Sequence, residues 1–270
     1  MTELVRLSID GGIATVTFDN PPRGYMNAAQ VTQANSIVDT LEAFDGVRAV
    51  IFTGGVPGVF IRHYDVGELV AIAGQVRGAS VDDDVLANQA RGGNAVSALF
   101  DKVAALPMPT IAAINGFTQG GGFEFALCCD FRIAEHGDYR IGLPETNIGI
   151  LPGAGGIERL CRLIGEVRAT ELILRGRTVG PDEALALGMV NWLADGSALD
   201  SAHALATELA QQSPRALADA KALLRGSGEM SLAAGMAETR ARFMLLLKQD
   251  DAALAAMQAF LANGEDINRA

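Results

Sequence analysis

From Thr110 to Asp130 the chain reads Thr-Ile-Ala-Ala-Ile-Asn-Gly-Phe-Thr-Gln-Gly-Gly-Gly-Phe-Glu-Phe-Ala-Leu-Cys-Cys-Asp. The apolar run Thr110 to Ile114 predicts a buried strand, and the three glycines Gly120, Gly121 and Gly122 run directly into an apolar segment that reads as a helix. Glycine N–H groups are not shielded by side chains, and a helix N-terminus adds a partial positive charge, so the triplet is a place for a developing oxyanion. Glu124 lies in the first turn of the expected helix, beside whatever those N–H groups bind. A second acidic residue, Glu145, stands in Gly-Leu-Pro-Glu-Thr-Asn-Ile-Gly (142–149), just before the cluster Pro152, Gly153, Ala154, Gly155 and Gly156. Two carboxylates on separate, glycine-bounded turns suggest paired acid and base work beside an anion hole.

Gly120-Gly121-Gly122-Phe123-Glu124, followed by Pro144-Glu145 and then Ile150 to Gly156, resembles the two diagnostic motifs of the crotonase superfamily, the enoyl-CoA hydratase/isomerase family. The resemblance implies an α/β fold, a crotonase-like spiral of ββα repeats with a C-terminal helical oligomerisation region, and chemistry on acyl-CoA thioesters. It implies that the N–H groups of Tyr64 and Gly121 polarise the thioester carbonyl. Glu124 then deprotonates the attacking water and Glu145 protonates the α-carbon. Tyr64, Asp65, Val66, Gly67 and Gly121 would line the substrate site. No metal and no cofactor are expected beyond the coenzyme A carried by the substrate, and the assembly implied is a homotrimer or a hexamer of paired trimers. An isomerase needs chiefly the Glu145 position, so the presence of both carboxylates favours hydration. Hydrolase or lyase chemistry on the same fold, or a non-catalytic oligomeric binding protein, remain open at this stage.

Two stretches depart from that pattern. His63 and Tyr64 stand where relatives usually carry Gly and Ala, before Asp65. Any residue except Pro still offers its backbone N–H, so Tyr64 can serve as donor with bulkier surroundings. Near the C-terminus, Phe260 to Glu265 carries no Lys or Arg where relatives hold basic residues against the CoA phosphates. Arg23, in the Pro21 to Ala28 segment that wraps CoA in the family, either meets a phosphate or is solvated.

The 270 residues are 49% hydrophobic, which is ample for a core, and the net charge of −11 disfavours nucleic acid or anionic membrane as main partners. Three cysteines, two of them adjacent, make no disulfide framework and fit a reducing cytosol; Cys128 and Cys129 read as small core residues. No signal-like segment opens the chain and no apolar run reaches spanning length, so a cytoplasmic location is expected. In order, the chain reads as a hairpin turning at Gly11-Gly12, a helix over 29–44 and a strand over 47–53. A loop follows over 59–69, with a mobile polar loop over 74–84 and one long helix over 85–106 ended by Pro107. Strands are expected at 131–134, 139–142 and 189–193, with a helix opening near Pro181 and ending at Gly188. Residues 1–195 read as the ββα core with the active site, and 196–270, almost wholly helical, as the trimerisation region.

Overall fold

The computed structural model describes residues 2–44 and 46–262. It opens on the hairpin of β1 (Val5–Asp10) and β2 (Ile13–Phe18), closed by two left-handed glycines, Gly11 and Gly12. Helix α1 (Ala28–Ala43) follows. The Asn27 side chain caps it by accepting from Gln30 N, and it buries Val31, Ala34, Val38 and Leu41 at helical spacing. Each later turn of the chain adds a strand to one sheet, a short strand to another, and then helix. β3 (Ala49–Gly54) and β4 (Val59–Ile61) lead to α2 (Val66–Gly78), α3 (Asp83–Arg91) and α4 (Ala95–Ala105). β5 (Thr110–Ile114) and β6 (Phe117–Gln119) lead to α5 (Gly121–Ala126). β7 (Phe131–Glu135) and β8 (Ile141–Gly142) lead to a 3-10 turn at Glu145–Ile148, then to α6 (Gly156–Ile164) and α7 (Glu166–Leu174). β9 (Thr178–Val179), α8 (Pro181–Leu187), β10 (Trp192–Ala194) and α9 (Ala198–Ala210) complete the spiral. The helices α10 (Pro214–Gly226), α11 (Leu232–Gln249) and α12 (Asp251–Ala262) follow.

The larger sheet has the order β1-β2-β3-β5-β7-β10, parallel apart from the opening hairpin. The smaller has the order β4-β6-β8-β9, with β4, β6 and β8 parallel and β9 antiparallel. Helix α9 lies on the larger sheet and inserts Ala198, Ala202 and Ala206 against Ala49, Ile51, Ile111, Ala113 and Ile133, the small residues allowing close approach. No helix among the described residues is long and apolar enough to cross a membrane.

Several expectations are corrected. The 59–69 stretch is not a loop: it holds β4 and the start of α2, whose N-cap is Asp65, accepting from Gly67 N. The stretch expected to be a mobile loop at 74–84 is mostly helical, with α2 running through Gly74 and Gly78 and α3 opening at Asp83. The single helix expected over 85–106 is two helices, broken at Gly92-Gly93, where Gly93 has φ +85° and Asn94 and Ser97 form a reciprocal capping box for α4. The strands β4, β6 and β9, of two or three residues each, are too short to leave a periodic signal, and the strand expected over 139–142 is shorter, β8 at Ile141–Gly142.

Candidate active site

The parallel arrangement of β4, β6 and β8 brings three C-terminal strand ends side by side. Tyr64, Gly121 and Glu145 each follow one of those ends within three residues. Gly120 turns the chain from β6 into α5 with φ +51°, a conformation that favours glycine. Space demands glycine at Gly122, where a Cβ would lie 1.9 Å from the Ile61 carbonyl oxygen; one at Gly121 would stand in ordinary contact with Tyr64, 3.6 Å from its N. The backbones of Tyr64 and Gly121 therefore face each other. Neither N–H donates to an acceptor among the described residues. Helix α5 is held by Phe125, whose ring packs edge-on against Phe18, Phe52 and Phe100 at 5.0 to 5.5 Å. The buried Arg132 closes the helix's other end, donating from Nη1 to the Cys129 carbonyl at 2.9 Å and from Nε to the Met189 carbonyl at 3.0 Å.

Both carboxylates are buried, Glu124 at 4% and Glu145 at 9% exposure, and their surroundings differ in kind. Glu124 Oε1 accepts from Ala154 N at 2.8 Å and Gly156 N at 2.9 Å, where the second glycine cluster opens α6. A Cβ at Gly156 would come within 2.8 Å of that oxygen, so the close approach depends on glycine. Burial raises the Glu124 pKa, while the two N–H donors, with Arg159 beyond them, pull it back. Glu145 has less help: its Oε2 is buried with no hydrogen-bond partner. Burial pushes its pKa up to about 7, with a further upward contribution from Glu124. Its other oxygen faces Gly120, 3.1 Å from where a Cβ would stand. Burial thus leaves both carboxyls above the ordinary range, the two N–H donors favouring a charged Glu124 and the unpartnered Oε2 of Glu145 favouring a retained proton.

The Enoyl-CoA hydratase/isomerase family model matches residues 8–266 of this chain. The chain belongs to the enoyl-CoA hydratase/isomerase family. It is 34% identical over 259 residues to a probable enoyl-CoA hydratase of Bacillus subtilis (strain 168), covering 95% of each chain. The short-chain-enoyl-CoA hydratase of Clostridium acetobutylicum is 33% identical over 215 residues, 79% of this chain and 77% of that one. Among solved structures, an enoyl-CoA hydratase from Bacillus anthracis superposes with a TM-score of 0.84 at 27% identity, covering 96% of both chains. Pseudomonas aeruginosa DspI superposes with a TM-score of 0.85 at 31% identity, covering 99% of this chain and 97% of that one. The α/β spiral read from the two glycine motifs is the architecture this family shares.

Within that family frame, the structure gathers Tyr64, Gly121, Glu124 and Glu145 around the start of α5. Asp65 spends its side chain capping α2, and Val66 and Gly67 lie exposed in the first turn of that helix. The Arg23 guanidinium donates to the Tyr25 hydroxyl at 3.3 Å. The C-terminal positions expected to lack basic residues lie partly outside the described residues, beyond Ala262. Among the described residues no group of His, Cys, Asp and Glu could hold a metal ion. Sequence reasoning missed Ala154 and Gly156 as the holders of Glu124, because backbone donors carry no side-chain signature. It also missed Glu68, whose Oε2 accepts from the Tyr64 hydroxyl at 2.7 Å and from Ala28 N at 2.9 Å. The four-residue spacing from Tyr64 to Glu68 was the available signal, obscured because this stretch read as a loop.

Proposed function

We propose that this family member hydrates the α,β double bond of an enoyl-CoA thioester, with Glu124 as base and Glu145 as acid. The supporting observation is the asymmetry of the two buried carboxylates: two backbone N–H groups stabilise a charged Glu124, whereas the unpartnered Oε2 of Glu145 favours its protonated form. The thioester oxygen sits between the N–H groups of Tyr64 and Gly121, which stabilise the enolate-like charge that grows as water attacks. Glu124 takes a proton from the water, whose oxygen bonds to the β-carbon. Glu145 delivers its proton to the α-carbon, and the two carboxyls afterwards exchange the proton gained for the one lost.

Helices α10, α11 and α12 support the second part of the reading, assembly into a homotrimer or a pair of trimers. None of the three buries a residue, and Met236, Phe243 and Met244 on α11 are each more than half exposed. An open apolar concavity of about 700 Å³ on α11 is lined by Ala241, Met244, Leu245, Leu247 and Lys248. The relatives' names include both bacterial and mitochondrial proteins, and the absence of a disulfide set fits the reducing cytoplasm we assign.

The experiment is loss of crotonyl-CoA absorbance in stopped flow. Glu124→Gln and Glu145→Gln should each lower the rate by about 10²-fold or more with unchanged particle mass. Near-normal turnover in either variant would exclude the paired-carboxylate mechanism, and loss of Glu145 function alone would favour double-bond isomerisation.

A further inference from the structure

His63 is the sharpest departure from the family pattern, and the structure gives its ring a definite occupation. Imidazole Nδ1 lies 2.7 Å from the carbonyl oxygen of Tyr64, which can only accept, so Nδ1 carries the proton. The ring stacks on Tyr25 with centroids 4.3 Å apart and planes at 28°. Both peptides flanking Tyr64 are tied to the chain before α1: Met26 N donates to the His63 carbonyl at 2.9 Å and Asp65 N to the Met26 carbonyl at 2.7 Å. Beyond Tyr64, the phenol donates to Glu68, which also holds Ala28 N at the start of α1. Burial and Glu68 raise the phenol's pKa above its ordinary range, so the donor keeps its proton. Relatives with Gly and Ala at these two places have neither side-chain tie.

We propose that His63 and Glu68 are positioning residues of the oxyanion hole, the imidazole acting through the Tyr64 carbonyl and the carboxylate through the Tyr64 phenol. Both restrain the one residue whose N–H must stay aimed beside that of Gly121. This inference rests on the hydratase reading. A donor misaimed by a fraction of an ångström loses much of its transition-state stabilisation while ground-state binding, spread over the whole thioester, changes little. The signature is therefore a loss in kcat at nearly constant KM.

The test pairs crotonyl-CoA kinetics with the spectrum of bound cinnamoyl-CoA, a conjugated thioester whose absorbance moves to the red as its carbonyl is polarised. His63→Ala and Glu68→Ala should each lower kcat about ten- to a hundredfold, hold KM within about threefold and shrink the red shift. His63→Asn, whose Nδ2–H can stand where the imidazole Nδ1–H stands, should restore most of the kcat, the red shift and the parent's pH profile. If His63→Ala does not fold, His63→Gln, with its amide one bond farther out, replaces it and should fail to rescue. A full red shift and full kcat in His63→Ala would overturn the inference and leave the hydratase reading standing. A His63→Asn as impaired as His63→Ala, with a limb missing from its pH profile, would also overturn it and make the imidazole a proton carrier. A parent protein with neither turnover nor cinnamoyl-CoA binding would overturn both.

Discussion

Around Phe125 the molecule is packed on every side: four rings from β2, β3, β4 and α4 meet it, and the helix that carries it also carries Glu124. Along α10 to α12 the described chain buries nothing, although Phe243, Met244, Leu254, Met257 and Leu261 are as apolar as the core. One region finds its partners within its own chain, and the other presents the apolar surface on which we propose assembly. The polar residues differ in the same sense. Asp130, just past the end of α5, is mostly buried and binds Lys221 and Arg225 of α10 at 2.7 and 2.8 Å, the ties that dock α10 against the core. Farther out, the Arg242 contacts with Asp219 and Glu238 run between and within the outer helices themselves.

The sharpest way to break this comparison is Phe125→Ala. It removes the ring on which the triplet helix rests and should cost about 3–5 kcal/mol, read by denaturant unfolding. A cost below about 1 kcal/mol would mean that the aromatic cluster is not what holds Glu124. Next is Phe243→Asp, which should leave the far-ultraviolet circular dichroism unchanged while sedimentation shows a smaller particle. Each buried Phe at a contact contributes about 1.5–3 kcal/mol, and the variant also places a charge there. An unaltered particle mass would locate the assembly surface elsewhere.

The smallest expected effect concerns Glu145. Its folded pKa, about 7, is raised from an ordinary 4.5, so below pH 4.5 both folded and unfolded forms are protonated and no penalty exists. As pH rises from there toward 7 the unfolded chain ionises first, and stability is lost until the folded carboxyl also ionises. Glu145→Gln escapes that loss. Its unfolding free energy should match the parent's near pH 4 and exceed it at pH 8, by a margin on the order of 2 kcal/mol. An equal margin at both values would show that the site does not strain its own acid.

How much was legible in the sequence follows the range of the forces involved. Local signals spoke plainly: the Gly11-Gly12 hairpin, the Val31, Ala34, Val38, Leu41 stripe of α1, and Pro107 ending the helix before β5. Glu124, Glu145 and Gly121 stood out because glycine clusters limit what such stretches can be. Helix α2 was hidden because it buries no residue and contains three glycines, so neither periodicity nor propensity marked it. The grip of Ala154 and Gly156 on Glu124 spans some thirty residues and is made by backbone, which no side-chain pattern encodes. The occupation of the His63 ring was hidden for a related reason: its partner is the carbonyl of its own neighbour, and its stacking partner Tyr25 lies far back in the chain.

The three parallel ends of β4, β6 and β8 carry one further consequence. Each supplies its own contribution, Tyr64, Gly121 or Glu145, on a connection that is covalently independent of the other two until far along the chain. A lineage can therefore rewrite one connection, as at the His63-Tyr64 pair, while Gly121, Glu124 and Glu145 keep their places. Such an arrangement separates what a site does from what it accepts, and lets selection adjust the second at little risk to the first.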